Sequence, residues 1–416
     1  MLDGLTGLLK GLDRRVKVSL VAAGVYNFSL QLSAQYDMLF AQALGASGTD
    51  IGLMNSFGAA VNATASAPIG SAVEKYTVKK IMLLGYVFDA ISMIIFILAG
   101  NWWALIPAFA MRAQLIRNAP LTDIILITFT EPRKRSTVMS LSRVFWSTIN
   151  VFAPVTAAII VASFGGINAQ GIRPLYYIQL VLYMAVFFVI ARGLGSTSVH
   201  GNGKKDESDR IETSLIKDYR EFLRGEKYLR RWILIRVFRD GSQALSMSFI
   251  SLWMVNNKGA TPAILGIVSA VSIIAAMSLQ IPAGRLSDKF GRKKTFYLFT
   301  PFYYLGTLAL ISVPSPEYLI LAGLLGGVGM GMGIGGVAFT PFITMWWEMA
   351  PAEKRGRWYG LEGLIMATTR IPASIIGGIL WDQGLKIEVL LFPILIDVLV
   401  VVPLLHTIPD TLRSKQ

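Results

Sequence analysis

The feature that most constrains this chain is a succession of long apolar segments that fills almost all of residues 16–406. A helix of about 20 apolar residues spans the hydrocarbon core of a bilayer and satisfies its backbone hydrogen bonds internally. The segments lack the short alternating pattern of a transmembrane β-barrel. They therefore predict an all-α integral membrane protein with twelve transmembrane helices. The predicted spans, numbered 1 to 12, are 17–40, 50–72, 79–100, 102–129, 137–162, 174–192, 232–256, 262–284, 294–313, 318–346, 358–381 and 388–407.

The basic residues are distributed unequally between the two sides of these spans. Of the 39 Lys and Arg residues, the side that holds both termini and the central loop carries 30, and the other side carries only Arg173, Lys258 and Lys386. Because cytoplasmic loops carry an excess of Lys and Arg, both termini are predicted to be cytoplasmic. The net charge of +14 is then attributed to contact with anionic lipids, not to binding of nucleic acid. The expected location is the plasma or inner membrane.

The two halves of the chain repeat one another. When the first half is shifted by 214 residues, Gly52 aligns with Gly266 and Pro68 with Pro282 without a gap. Parallel repeats of this kind are typical of transporters built from two six-helix halves. The predicted domains are pseudo-symmetric six-helix bundles at residues 1–192 and 232–416. A cytoplasmic linker at 193–231 joins them and contains a stretch with the pattern of an amphipathic helix.

The loop between spans 8 and 9 reads GRLSDKFGRKK at residues 284–294. This string resembles the signature cytoplasmic loop of the major facilitator superfamily, in which a glycine precedes a small residue, an aspartate, a basic residue, a second glycine and two basic residues. The first-half copy, GSAVEKYTVKK at residues 70–80, has Glu74 in place of the aspartate and lacks the second glycine. The resemblance implies two bundles around a central cavity, moving as a rocker switch in a secondary transporter. It does not identify the substrate.

The resemblance also implies a cytoplasmic gate. Family members link the loop aspartate to the following arginine and to an acid at the end of the fourth helix of the same half, which here gives Asp288, Arg292 and Glu348. When the cytoplasmic side closes, Asp288 is expected beside Arg143 at the N-terminal end of span 5, where the helix dipole favours a carboxylate. The predicted gate residues are Asp288, Arg292, Gly284, Gly291, Glu348, Arg143 and Glu74.

Three arginines lie near the middle of predicted spans: Arg112 and Arg117 in span 4 and Arg370 in span 11. A charge at the bilayer centre costs at least about 2.5–3.5 kcal/mol, so such residues indicate function by default. Guanidinium groups hold anions by bidentate hydrogen bonds, which favours an anionic group on the substrate. For Arg112 the alternative is a structural ion pair with Asp123, eleven residues further along span 4.

Span 1 carries a polar stripe. Asn27, Gln31 and Gln35 recur every four residues and therefore share one face of a helix. Such a stripe either lines a water-filled cavity or forms hydrogen bonds with neighbouring helices. Since span 1 borders the central cavity in the family that the chain resembles, the three residues are predicted to contact substrate together with the arginines.

Several function classes find no support in the sequence. The chain has no cysteine and two histidines, so we expect no metal site, and it carries neither a nucleotide-binding loop nor a nucleophile paired with a base. We therefore expect no enzymatic activity and no cofactor. The expected partners are a small-molecule substrate, membrane lipids and, in one interpretation, a coupling proton; the protein is predicted to be a monomer.

The leading interpretation is a secondary transporter for a small, anionic organic solute. The alternative is a proton-coupled exporter of drugs or metabolites in which Asp37 or Asp123 carries the proton. A receptor that uses the same fold without transport is the third interpretation. The sequence leaves the direction of transport open.

Overall fold

The computed structural model describes residues 12–112, 121–131, 135–195, 228–329, 332–349 and 355–411. Within these residues the structure is helical and contains no strand, which confirms the predicted fold class. Helices lie in each of the twelve predicted spans. The number of membrane crossings and the cytoplasmic location of the termini stay predictions. Most of the predicted linker, residues 196–227, lies outside the described residues, and so does its amphipathic segment.

The helices of the N-terminal half are Arg14–Ser33 and Asp37–Ala43 in span 1, Gly48–Lys75 in span 2, Val78–Leu98 in span 3, Leu105–Met111 and Leu121–Thr128 in span 4, Arg135–Ser163 in span 5 and Ala169–Gly193 in span 6. Those of the C-terminal half are Leu229–Met247 and Ile250–Leu252 in span 7, Pro262–Phe290 in span 8, Arg292–Ser312 in span 9, Leu319–Leu325, Gly333–Gly336 and Phe339–Glu348 in span 10, Arg355–Asp382 in span 11, and Lys386–Ile396 and Val402–His406 in span 12.

Local sequence explains where several helices begin. The Asn168 side chain accepts a hydrogen bond from the amide of Gly171 at 2.8 Å, and Asp13 accepts one from the amide of Arg15 at 2.7 Å. Thr261 provides the same type of cap before Pro262, whose fixed φ angle suits the first helical position. Each cap satisfies a backbone donor that the first turn of a helix leaves without a partner.

The surface of the bundle is apolar where a bilayer would contact it. Five helical stretches are long and apolar enough to cross a membrane, by length and composition: Val78–Leu98, Leu141–Ser163, Ala169–Gly193, Pro262–Phe290 and Lys386–His406. Large side chains such as Leu98, Ile159 and Leu399 are exposed on the outside of these helices. Exposed apolar surface of this extent is stable in lipid and unfavourable in water.

The two halves meet along two helix pairs, span 2 with span 11 and span 5 with span 8. Gly52 in span 2 lies so close to the backbone of Ser374 that an added Cβ atom would collide with its carbonyl oxygen. Gly266, which the 214-residue repeat aligns with Gly52, approaches span 5 in the same way: its Cβ would lie 2.9 Å from the carbonyl oxygen of Pro154. The repeat seen in the sequence thus places matched glycines at matched helix crossings.

Span 10 is broken into three short helices by its glycines. Gly326, Gly329 and Gly333 all have positive φ angles, which other residues adopt at a cost. Gly335 packs against the backbone of Tyr303 in span 9 so closely that a side chain would collide there. Interrupted helices near the centre of a membrane protein are tolerated where they line a cavity, and this one does.

Candidate functional site

A cavity of about 290 Å³ lies between the two halves. We call it the central cavity. Span 1 contributes Gln31 and span 5 contributes Ser147, both from the N-terminal half. Spans 8 and 10 of the C-terminal half supply the remaining walls, which are Ile273, Ala276, Met277, Gln280, Met332, Gly336, Val337, Phe339 and Thr340.

The lining of the central cavity combines apolar side chains with uncharged hydrogen-bonding groups. Among its described lining residues, Gln31, Gln280, Ser147 and Thr340 can donate and accept hydrogen bonds, and none carries a charge. Apolar walls with a few oriented polar groups are typical of small-molecule sites. The chemistry of this lining suits a solute with hydroxyl or amide groups.

The polar stripe of span 1 divides between three environments. Gln31 lines the central cavity, while its contact with substrate stays a prediction. Asn27 donates to the carbonyl oxygen of Ala23 in its own helix at 2.7 Å. Gln35 accepts a hydrogen bond at 2.8 Å from Ser269 in span 8, so it joins the two halves. Periodicity placed the three residues on one face but could not specify what each part of that face meets.

Arg112 is buried inside the N-terminal half, with 8% of its surface exposed. Its Nη1 atom lies 2.5 Å from Oδ2 of Asp37, and its Nη2 donates to Ser33 at 2.9 Å. The Tyr176 hydroxyl donates to the other Asp37 oxygen at 3.3 Å. The carboxylate partner of Arg112 is therefore Asp37 and not Asp123, because the packing of span 4 on span 1 brings together residues 75 positions apart in sequence.

The other charged residues predicted to take part in the site do not come together with Arg112 and Asp37 in the described part of the structure. Arg117 lies outside the described residues. Arg370 is exposed on span 11, and Asp123 is half-buried in the first turn of the helix Leu121–Thr128. Neither of the two described residues is among those that line the central cavity.

The predicted cytoplasmic gate contains a contact network within the C-terminal half, which we call the loop 8–9 relay. Arg292 forms ion pairs with Asp288 and with Glu348, the latter at 3.1 Å. Gly291 has a φ angle of 111°, and a side chain there would collide with Asp410, whose carboxylate accepts the amide of Arg292 at 3.2 Å. The three residues that the resemblance linked are thus in contact, whereas their role in gating stays a prediction.

The contacts that were expected between the two halves at the cytoplasmic side are not formed among the described residues. The side chain of Asp288 is 70% exposed, and within the described part of the chain it makes no ion pair with Arg143, which is also exposed. Gly284 has open space around it. The side chain of Glu74 lies outside the described set. In this state of the protein, the ionic contacts of the loop therefore stay within one half.

Polar contacts join the two halves on the opposite side, which the charge distribution predicts to be extracellular. We call this contact region the outer interface. Asp382 at the end of span 11 accepts hydrogen bonds at 2.7 Å from the amides of Gly48 and Thr49 and from the Thr49 hydroxyl. Asn256 donates to Gln42 at 2.9 Å, a pair exactly one repeat of 214 residues apart. Asn55 donates to Ser248 at 3.0 Å.

The Asp382 carboxylate belongs to the C-terminal half. It thus caps the N-terminal end of the helix Gly48–Lys75, which belongs to the N-terminal half. Partial burial alone would raise the pKa of this carboxyl, but the hydrogen bonds from Thr49 and Gly48 outweigh that effect. Its pKa lies below the ordinary value because these donors favour the charged form. The carboxylate also sits at the positive end of the helix dipole.

Sequence reasoning did not include one buried ion pair of the C-terminal half. Arg239 in span 7 lies 3.2 Å from Asp397 in span 12, and Asp397 is completely buried. One turn before, Arg236 lies 3.1 Å from Asp240. The signal that could have found Asp397 is simple: it is an ionisable residue in the middle of an apolar span.

Comparisons with known proteins agree with this architecture. The family model described as Major Facilitator Superfamily matches residues 18–241 and 232–415. Among solved structures, a bacterial homologue of the iron transporter ferroportin in an inward-facing state is similar with a TM-score of 0.70 at 12% identity, over 94% of this chain and 98% of that one. A D-xylose-proton symporter has a TM-score of 0.69 at 12% identity, over 96% and 98%. At such identities the likeness concerns the fold alone.

Curated relatives match over shorter stretches. Multidrug resistance protein 3 of Bacillus subtilis is 27% identical over 116 residues, which are 28% of this chain and 22% of the relative. Monosaccharide-sensing protein 3 of Arabidopsis thaliana is 34% identical over 95 residues, 23% and 12% of the two chains. Probable plastidic glucose transporter 1 of the same plant is 35% identical over 91 residues, 22% and 16%. The matches span less than a quarter of the length of these relatives.

Proposed function

Because the chain belongs to the major facilitator superfamily, whose family model matches both of its halves, we propose that it carries a small, uncharged polar solute across a membrane by alternating access. Its family makes it a multi-pass membrane transporter. The nature of the solute and the rocker-switch mechanism are the parts that we propose. The observation that carries the proposal is that the described residues lining the central cavity are all uncharged.

The cavity supports this choice of solute by its chemistry and its size. Gln31 and Gln280 approach from different halves, so a solute that binds both side chains bridges the halves. Amide side chains pair well with hydroxyl groups because they offer both donors and acceptors. A volume near the lower end of ligand pockets, roughly 300 Å³, favours a molecule of the size of a monosaccharide or nucleoside. Several relatives and structural neighbours have names that refer to glucose, monosaccharides, nucleosides or D-xylose.

One of the three arginines that favoured an anionic solute in the sequence, Arg112, already has a carboxylate partner. A guanidinium that already shares its hydrogen bonds with Asp37 and Ser33 has little capacity to bind a second anion. Arg112 would have to exchange one carboxylate for another inside a buried site. The anion hypothesis therefore depends on Arg117 and Arg370, and the transport assay below includes anionic solutes to test it.

Alternating access is supported by where the halves are joined. Polar contacts and closely packed glycines hold the outer interface together, while the described contacts of the loop 8–9 relay lie within its own half. This combination fits a state closed to the outside and accessible from the cytoplasm. In the opposite state, the contacts of Asp382 with span 2 would have to break.

Counterflow in proteoliposomes tests the proposal directly. Vesicles loaded with unlabelled solute should take up trace labelled D-glucose, D-xylose or uridine when the protein is present. Gluconate and lactate, which are anionic, should not exchange. Exchange of the anions without exchange of the uncharged solutes would contradict the proposal and restore the prediction from sequence.

The variant Gln280→Ala sharpens the test. Loss of a hydrogen bond to an uncharged solute should weaken binding by about 0.5–1.5 kcal/mol, which corresponds to a rise in KM of roughly two- to tenfold. Gln170→Ala, at an exposed position at the start of span 6, is the matched control and should leave KM unchanged. An equal KM in both variants would exclude Gln280 from the site.

The exporter interpretation has one specific observation in its favour. The apolar part of the lining, which includes Met277, Met332 and Phe339, offers the adaptable surface that hydrophobic drugs use. A relative named for multidrug resistance matches part of the chain. Efflux of ethidium from the same vesicles against a proton gradient, without exchange of sugars or uridine, would support this interpretation.

A further inference from the structure

The C-terminal half contains a buried ion pair that the solute cavity does not explain. Asp397 in span 12 is fully buried, and Arg239 in span 7 is nearly so. At Asp397 the helix widens into a π-helical turn, Asp397–Val401. Such turns are rare and are frequently found at functional sites. Charged side chains at this depth are expensive, so a purely structural pair would be an unfavourable solution compared with apolar packing.

This ion pair is looser than its counterpart in the N-terminal half. Arg112 and Asp37 approach to 2.5 Å, with further hydrogen bonds from Tyr176 and to Ser33. By contrast, the Arg239 Nη1 atom lies 3.2 Å from Asp397 Oδ2 and donates to Oδ1 only at 3.5 Å. Within the described part of the chain, Arg239 Nε takes part in no hydrogen bond, and Tyr304 is the further side chain that offers a hydrogen bond to Asp397.

Arg239 has a second source of stabilisation besides Asp397. Its guanidinium carbon lies 4.8 Å from the centre of the Phe296 ring and 4.6 Å from that of Phe342. Two aromatic faces attract a cation where water is excluded. The arginine can therefore keep its charge when the carboxylate partner is neutralised. Among the described rings, Phe96 alone lies near Arg112, at 5.7 Å.

A polar pocket of about 20 Å³ lies beside the Arg239 side of this ion pair. Arg239, Gln243 and Tyr303 line it, and the volume is sufficient for one water molecule with three polar partners. Gly336 and Phe339 of the broken span 10 line both the polar pocket and the central cavity. The polar pocket therefore adjoins Arg239 and shares two lining residues with the central cavity.

We propose that the Asp397 carboxylate is a proton-binding site that couples solute movement to protons, with Arg239 as its partner. A proton from the water of the cavity passes through the polar pocket and forms an O–H bond at Oδ2 of Asp397. Arg239 stays protonated, so the charge of the cluster rises by one. After the conformational change, the proton leaves to the water on the other side and the ion pair forms again. The coupling role rests on the proposed transport function; the proton site itself does not.

The other charged and titratable groups around Asp397 are known from the packing. Span 7 presents Arg236 and Asp240 besides Arg239, and span 9 presents Tyr303 and Tyr304. Span 11 also packs on span 12, but among its described side chains none acts on the Asp397 charge. Among these described groups the two arginines and two aspartates balance, so one added proton gives them a net positive charge.

Infrared difference spectroscopy tests the site without any solute. As the pH of the purified protein in lipid is lowered, the carbonyl-stretch band of a protonated buried carboxylic acid should appear. Asp397→Asn should remove this band, and Asp37→Asn, which changes the paired carboxylate of the other half, should retain it. Absence of the band in wild type, its persistence in Asp397→Asn, or its loss in Asp37→Asn alone would each overturn the proposal.

A second variant keeps the infrared test valid if Asp397→Asn does not fold. Asp397→Asn leaves Arg239 buried without a carboxylate, which is a destabilising change. The double variant Arg239→Gln/Asp397→Asn removes both charges and should fold, and it should lack the band as well. A band that persists in the folded double variant contradicts the proposal even if the single variant cannot be purified.

A transport assay in vesicles tests the coupling role. With D-glucose, D-xylose and uridine as probes, a proton gradient should drive accumulation by wild-type vesicles, while Asp397→Asn should only equilibrate the solute and still perform exchange. Accumulation by Asp397→Asn equal to wild type would refute the coupling role. If the wild-type protein exchanges none of the three probes, the proposed function fails, and the infrared result still decides the proton site.

Discussion

The two ends of the interface between the halves are built differently. At the outer interface, Asp382, Asn256 and Asn55 form hydrogen bonds from one half to the other, and Gly52 and Gly266 let the helices touch. At the predicted cytoplasmic end, Arg292 links Asp288 and Glu348 within the C-terminal half. The contacts of the outer interface thus connect the two halves, whereas the ion pairs at the cytoplasmic end connect helices of the C-terminal half.

The difference indicates that the contacts at the outer interface and the ion pairs at the cytoplasmic end have different roles. Amide and hydroxyl hydrogen bonds, close glycine contacts and the exposed Asp382 carboxylate can separate without leaving a charge buried, which suits a contact that must open in every transport cycle. Ion pairs at the mouth of a half are better suited to keep that half rigid while it rotates.

The largest effect is expected for Gly52→Ala. The new Cβ atom would meet the backbone carbonyl of Ser374, which cannot move aside like a side chain, so closure of the outer interface should cost about 3 kcal/mol. The population should shift roughly 150-fold towards the outward-open state. Maleimide labelling of Ser269→Cys measures it, since the chain has no other cysteine.

Gly58→Ala is the control for this change. It lies in the same helix, and its Cβ would make only ordinary contact, 3.7 Å from the carbonyl oxygen of Phe109. Labelling of Ser269→Cys in this background should match the parent. If Gly52→Ala also leaves the labelling unchanged while the protein stays folded, the close approach of spans 2 and 11 does not control the outer interface.

A smaller effect of another kind is expected for Arg292→Gln. The variant loses charge-assisted hydrogen bonds to Asp288 and Glu348 and should lower the free energy of unfolding by about 1–2 kcal/mol, allowing for the exposed position of Asp288. Thermal unfolding in detergent measures this, with the exposed Lys294→Gln as control. A change in Ser269→Cys labelling as large as that of Gly52→Ala would erase the distinction between the two ends.

The variant Asp288→Asn examines the cytoplasmic end in the other state. When that end closes, Asp288 is predicted to approach Arg143 and the N-terminal end of span 5, a position where a carboxylate contributes about 0.3–1 kcal/mol. Removal of its charge should therefore favour the inward-facing state by up to about fivefold. Labelling of Ser147→Cys in the central cavity should increase, while Lys289→Gln should have no such effect. Unchanged labelling would mean that no cross-half lock forms there.

The sequence predicted the parts of this structure that depend on periodicity and short-range pattern. Apolar segments predicted the all-α class, and the 214-residue repeat is visible in the matched contacts of Gly52 and Gly266. The relay of Arg292 follows from positions four apart and one family pattern. These features need no knowledge of how helices pack.

Pairings between distant helices could not be predicted in this way. Arg112 has one candidate carboxylate on its own span, Asp123, and only the packing of span 4 against span 1 selects Asp37. Asp382 finds its donors 333 and 334 residues away, across the interface. Asp397 and Arg239 are 158 residues apart. A single sequence does not show which of several distant residues will be partners, because the packing of the whole bundle determines which side chains meet.

The smallest effect, and the one that links the outer interface to pH, is expected for Asp382. Its three hydrogen bonds favour the charged carboxylate in the closed state, so closure lowers its pKa. The contribution to closure is therefore complete above the ordinary carboxyl pKa of about 4 and is lost as the pH falls through the lowered value. Because the site is exposed, we expect Asp382→Asn to weaken closure by only about 0.5–1 kcal/mol at neutral pH.

The comparison with Asp50 isolates this contribution. Asp50 accepts hydrogen bonds from the amide and hydroxyl of Ser47 at 2.9 and 2.8 Å, so it caps the same loop from within its own half. Asp382→Asn should raise Ser269→Cys labelling about two- to fivefold at pH 7 and abolish the further rise that the parent shows below about pH 4. Asp50→Asn should leave that acid response in place. If both variants keep it, another group senses the acid, and the outer interface is held by packing alone.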